Sequence, residues 1–165
     1  GAQRVIAIDF SEQKLAIAKQ LGATDIIDAS KIPDCVQVIR ELTEGEGVDF
    51  VFEMAGSIRA LSTAIDMVKR GGKVTTAGLP PAGHTLPVDV AKLVGNEITL
   101  QGSYMGSCIP GRDIPRYIAL YKSGKLPVNK LLSETIHIND INAAFDKLHE
   151  AKTIRLVIVW NDDKQ

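Results

Sequence analysis

Asp9 closes the apolar run RVIAID, and Ser11 opens a helical pattern directly behind it. A carboxylate at a strand end in this position accepts hydrogen bonds from the adenosine ribose hydroxyls of a dinucleotide, roughly 20 residues past the glycine loop that holds the pyrophosphate. A 2′-phosphate there would meet a like charge, so Asp9 favours NAD over NADP. The same spacing puts the glycine loop upstream of Gly1.

Other chemistry-bearing groups offer less. The glycines of GEG, Gly45–Gly47, precede a strand pattern, so they cannot aim amides from a helix N-terminus at a phosphate; they read as a turn. GLPPAG, Gly78–Gly83, follows a strand pattern and lies where ligands bind in parallel sheets, beyond the carboxyl ends of the strands. Tyr121 and Lys125 match Y-x-x-x-K, the acid pair of short-chain reductases. Gly124 and Pro127 end the helix there, so Lys125 should leave the face of Tyr121. His84, His137 and His149 have no carboxylate or cysteine at ligand spacing.

The elements that must hold these groups alternate. RVIAID, TDIID, GVDFVFEMAG, GGKVTTAGLPP, EITLQGSYMG, SETIHI and IRLVIVW read as strands. Between them, EQKLAIAKQL has Ser11 as N-cap and Gly22 as its stop, and CVQVIRELTE follows Pro33 in a first helical turn. SIRALSTAIDMV starts from Ser57 and carries Ile58, Leu61, Ile65 and Val68 on one stripe. DIPRYIALYKSG is helical, and INDINAAFDKLHEA is helical with Asn139 as cap. Strands and helices alternating at these lengths predict a parallel sheet with helices on its faces.

The composition excludes several functions. Hydrophobic residues make up 45% and charged residues 24% of the 165 residues, an ordinary soluble globular balance. Nineteen basic against twenty acidic side chains give a formal charge of −1, so no single-sign field argues for nucleic acid or an anionic membrane. No apolar run reaches transmembrane length. Cys35 and Cys108 suggest neither a disulfide framework nor a zinc motif, and point to a reducing cytoplasm.

Taken in order, VIAIDFSEQKLAIAKQLGATDIID, EGVDFVFEMAG, GGKVTTAGLPP, ITLQGSYMGS, LYKSGKLPV and INAAFDKLHEAKTIRLVIVW resemble the coenzyme-binding half of the medium-chain, zinc-type alcohol dehydrogenases. The tail is most similar to the alcohol and formaldehyde dehydrogenase branch. The resemblance implies a Rossmann-like, doubly wound α/β sheet lacking its first βα unit, followed by a segment that returns to the catalytic domain. It divides the chain into residues 1–104, the incomplete NAD-binding domain, and 105–165, the linking helix and returning segment.

The same resemblance implies roles. Asp9 matches the ribose-binding acid, and Lys14 a basic residue beside it. Met54 and Ala55 match positions beside the cofactor, and Ala77, Gly78 and Leu79 the turn lining the nicotinamide. Ser103, Tyr104 and Met105 match backbone that meets the carboxamide, and Arg155 an arginine reaching the pyrophosphate. No catalytic acid or base is expected in this chain, and the zinc ligands of the parent enzyme are expected outside it. In that enzyme zinc would polarise the oxygen of a small-molecule alcohol, and hydride would pass to NAD. The resemblance further implies a homo-oligomer through residues 98–104, whose alternation of Ile98 and Leu100 with Thr99 and Gln101 suits an edge strand. The isolated chain is expected to be inactive and to bind NAD weakly or not at all. Rival readings are a zinc-independent NADPH-dependent quinone or enoyl reductase, which Asp9 opposes, an S-adenosylmethionine-dependent methyltransferase, and a non-enzymatic, self-associating remnant.

Overall fold

The computed structural model describes residues 1–150 and 153–160. Strands and helices alternate along it. β1 (Ile6–Asp9) leads to α1 (Glu12–Gln20), β2 (Asp25–Asp28) to α2 (Cys35–Leu42), and β3 (Val48–Glu53) to α3 (Ile58–Met67). β4 (Val68–Thr76), α4 (Val90–Gly95) and β5 (Thr99–Gly102) come next. They are followed by α5 (Pro110–Lys122), β6 (Glu134–His137), α6 (Ile141–His149) and β7 (Leu156–Val159). The chain divides into two compact units, Gly1–Thr24 with Ile109–Gln165, and Asp25–Cys108.

The second unit is built on a parallel sheet in the order β3-β4-β5. Val51 pairs with Val74 and Val74 with Leu100, so alternate residues of each strand share one face. The core lies there: Ala64 and Ile65 of α3 pack with Val68, Val74 and Ile98, and Val51, Leu61, Leu86, Val88 and Leu93 close around them. The Ser57 hydroxyl starts α3 by accepting the Ala60 amide at 3.4 Å. Val68, expected on the helical stripe, instead opens β4. Its backbone pairs with Val48 while its side chain remains in the same core, so burial is kept at the cost of one helical residue. α2 buries Cys35 and Ile39. Its cap is Asp34, whose carboxylate accepts the Gln37 amide at 2.9 Å. This shifts the start by two residues and leaves Pro33 just outside the helix, not within its first turn.

In the first unit, Ser11 caps α1 as expected, Leu15 is buried, and Gly22 takes a φ of +114° beyond the C-cap. β6 and β7 pair in parallel from Glu134–Leu156 to His137–Val159. α5 begins three residues earlier than the sequence pattern suggests, with Pro110 in its first turn. There the buried Asp113 carboxylate reaches back to accept the Ile109 amide at 2.9 Å. Asn139 does not cap α6. Ile138–Asp140 forms a 3-10 turn in which His137 Nδ1 accepts the Asn139 amide at 3.3 Å, and α6 proper starts at Ile141. Ala151, the expected last residue of that helix, lies outside the described residues.

Candidate functional site

The three strands of the second unit end level. Glu53 pairs with Thr76, and Thr76 with Gly102. The residues that follow therefore meet at one carboxyl edge: Met54 and Ala55 after β3, Ala77, Gly78 and Leu79 after β4, and Ser103, Tyr104 and Met105 after β5. This is the edge at which parallel α/β sheets bind ligands. Leu79, Tyr104 and Met105 are wide open, at 82%, 78% and 73% exposure. The Ser103 amide continues the ladder by donating to the Thr76 carbonyl at 2.9 Å. Beyond it Met105 and Ser107 hold φ of +48° and +54°, a left-handed conformation unfavourable for side-chain-bearing residues.

Glu53 organises this edge, and sequence reasoning missed it. It is 5% exposed. Its Oε1 accepts the amides of Ala55 and Gly56, both at 2.8 Å, and its Oε2 accepts the Thr76 hydroxyl at 2.8 Å. Its backbone carbonyl also accepts the amides of Ala77 at 2.9 Å and Gly78 at 3.3 Å. The loops after β3 and β4 are thus drawn together, and they touch backbone to backbone at Gly56 and Gly78. The available signal was the pair of glycines, one after each strand, which a close approach of two loops requires.

The remaining expected residues belong to the first unit. Asp9 ends β1, and its Oδ1 accepts the Ser11 amide at 2.8 Å, leaving a second carboxylate oxygen for another donor. Lys14 lies half-buried in the first turn of α1. Arg155 is exposed immediately before β7, where its carbonyl accepts the Ser133 amide at 2.9 Å.

Lys125 lies beyond the end of α5, past the Ser123 C-cap and a left-handed Gly124, so it does not share a helical turn with Tyr121. His84 and His137 use Nδ1 locally, on the Pro81 carbonyl and the Asn139 amide. Burial pushes the Cys35 thiol up, away from reactive thiolate chemistry. Among the described residues no three His, Cys, Asp or Glu side chains converge as metal ligands, and no helix is long and apolar enough to cross a membrane.

Parallel strands joined through helices, with their loops gathered at the carboxyl edge, define a Rossmann-type α/β architecture. The chain belongs to the zinc-binding dehydrogenase family, whose sequence profile matches residues 1–123. It is 35% identical over 163 residues to a probable S-(hydroxymethyl)glutathione dehydrogenase of Schizosaccharomyces pombe, covering 98% of this chain and 42% of the relative. It is 34% identical to a class-3 alcohol dehydrogenase of Dictyostelium discoideum, covering 96% of this chain and again 42% of the relative. Among solved structures, benzyl alcohol dehydrogenase from Acinetobacter calcoaceticus overlays 98% of the chain with a TM-score of 0.91 and 35% identity, over 44% of its own length. The chain therefore spans less than half the length of these relatives.

Proposed function

We propose that this chain is the NAD-binding portion of a zinc-type alcohol dehydrogenase that oxidises a small-molecule alcohol. The observation that carries the reading is the level carboxyl edge of β3, β4 and β5, which gathers the loops expected to hold the nicotinamide in a chain of this family. Two groups support a dinucleotide reading: Asp9, which has a carboxylate oxygen beyond the one bonded to the Ser11 amide, and the exposed guanidinium of Arg155. The described residues do not fit zinc, since no ligand cluster converges among them. Bound NAD would supply the hydride acceptor.

In this reading Asp9 accepts a ribose hydroxyl and Lys14 stands beside it. Met54, Ala55 and Ala77–Leu79 line the nicotinamide and hold water off its ring. Ser103, Tyr104 and Met105 fix the carboxamide through backbone groups, and Arg155 neutralises pyrophosphate charge. Residues 1–104 make up the NAD-binding part, and residues 105–165 add Met105 and Arg155 to it and lead back towards catalytic-domain structure. β5 stands at one edge of its sheet, with all four residues exposed, and provides the contact of a homo-oligomer. A cytoplasmic enzyme acting on neither nucleic acid nor membrane completes the proposal.

The test is an NMR titration of the labelled whole protein with NAD and, separately, NADP. Shifts concentrated at the amides of Ala55, Gly78, Ser103 and Met105, weaker with NADP, are expected. Shifts absent from that edge, or equal for both nucleotides, would overturn the reading.

A further inference from the structure

We infer that Glu53 is a positioning residue, whose buried carboxylate sets the shape in which the β3 and β4 loops receive the nicotinamide half of the cofactor. This rests on the proposed NAD-binding function. A carboxylate this buried must have its lone pairs satisfied. Here the partners are neutral donors from the loop after β3 and the end of β4: the Ala55 and Gly56 amides on one oxygen, and the Thr76 hydroxyl on the other. Two consecutive amides aimed at one oxygen form a small anion nest, and the protein fills it with its own side chain.

The consequence is geometric. Ala55 and Gly56 follow β3, while Thr76 ends β4 and leads into Ala77 and Gly78. A single side chain ties the two exits together, and Glu53 ties them a second time through its carbonyl to Ala77 and Gly78. Gly56 and Gly78 are pressed together as a result, with no room for a β-carbon at Gly78. The exposed neighbours Met54 and Leu79, at 67% and 82% exposure, are carried on these tied loops. Glu53 is itself buried and need not touch the cofactor. It acts through the residues that do.

Two half-cofactor probes separate this role from plain stability. AMP reports the Asp9 end, and nicotinamide mononucleotide reports the β3–β4 edge. The whole protein should show localised NMR shifts with each. Glu53→Ala leaves two amides and a hydroxyl without their acceptor. It should weaken nicotinamide mononucleotide roughly tenfold and leave AMP unchanged. Glu53→Gln restores the bonds, because its carbonyl accepts the two amides and its NH2 donates to the Thr76 hydroxyl, so binding should return to about the parent level.

If Glu53→Ala fails to fold, Glu53→Asp is the readout. It keeps the charge but falls short of the amides, and should lose nicotinamide mononucleotide selectively. Equal loss of both probes, or no loss in Glu53→Ala or Glu53→Asp, would overturn the positioning role. A whole protein whose edge responds to neither probe would overturn the NAD-binding reading instead.

Discussion

A β-carbon placed on Gly78 would stand 2.0 Å from the backbone nitrogen of Gly56. No real contact is that short, and the obstacle is backbone, which cannot swing aside as a side chain can. The loops that leave β3 and β4 are therefore packed at a separation that only glycine permits.

Gly78→Ala should consequently cost stability, about 1–3 kcal/mol by the usual scale of overpacking. It should also shift the amides of Ala55 and Gly56, whose bonds to Glu53 would have to move. Urea unfolding and NMR shifts check both effects.

Asp9→Ala should weaken NAD by roughly tenfold to hundredfold, the worth of a hydrogen bond to a charged group. NADP should lose much less, because the variant also removes the charge that opposed its 2′-phosphate. Calorimetry with both cofactors on the whole protein measures the two losses, and equal losses would remove Asp9 from the ribose site.

Arg40 should matter for stability far from the carboxyl edge. Its guanidinium donates to the Gly45 carbonyl at 3.1 Å, to the Glu46 carbonyl, and to the Asp66 carbonyl near the end of α3 at 2.8 Å. Arg40→Ala should destabilise the chain by about 1–3 kcal/mol, with the Gly45–Gly47 turn exchanging amide protons faster.

Asp113 should give the first unit an acid-dependent stability. The Arg112 guanidinium holds its carboxyl below the usual range, helped by the Ile109 amide and Arg116 and opposed by burial. A depressed pKa contributes stability above the unfolded-state value and loses it as pH falls through the folded value. Asp113→Asn should therefore unfold at lower urea than the parent near pH 7, and the gap should narrow towards about pH 3.

The exposed edge of β5 should support self-association. Sedimentation across a wide concentration range should show a species larger than the monomer. Gln101→Lys, which sets a charge on that edge, should shift it towards monomer. A parent chain that stays monomeric at the highest concentration would remove β5 as an interface.

Local signals were the ones legible in the sequence. Ser11 and Ser57 lie beside the helices they cap, and each accepts the amide three residues on. Legibility failed where two neighbours competed for one task. Asp34 outbids Pro33 as the start of α2, and the His137 ring takes the amide of Asn139 before Asn139 can cap. Glu53 was hidden for a different reason. Its hydroxyl partner, Thr76, lies 23 residues along the chain, so nothing adjacent to Glu53 distinguishes it from a solvated strand end. The alternation of strands and helices survived these errors because it rests on periodicity over many residues.

The parallel ladders also govern how quickly the chain can assemble. Val51 must find Val74, 23 residues on; Lys73 must find Thr99, 26 residues on; Glu134 must find Leu156, 22 residues on. Each pairing closes a long loop before its contacts return any energy, which places folding towards the slow end for small α/β units. During synthesis β4 emerges well before β5. For that interval its free edge is open to any other strand, and a nascent chain would gain from a chaperone that covers it until Thr99–Gly102 arrives.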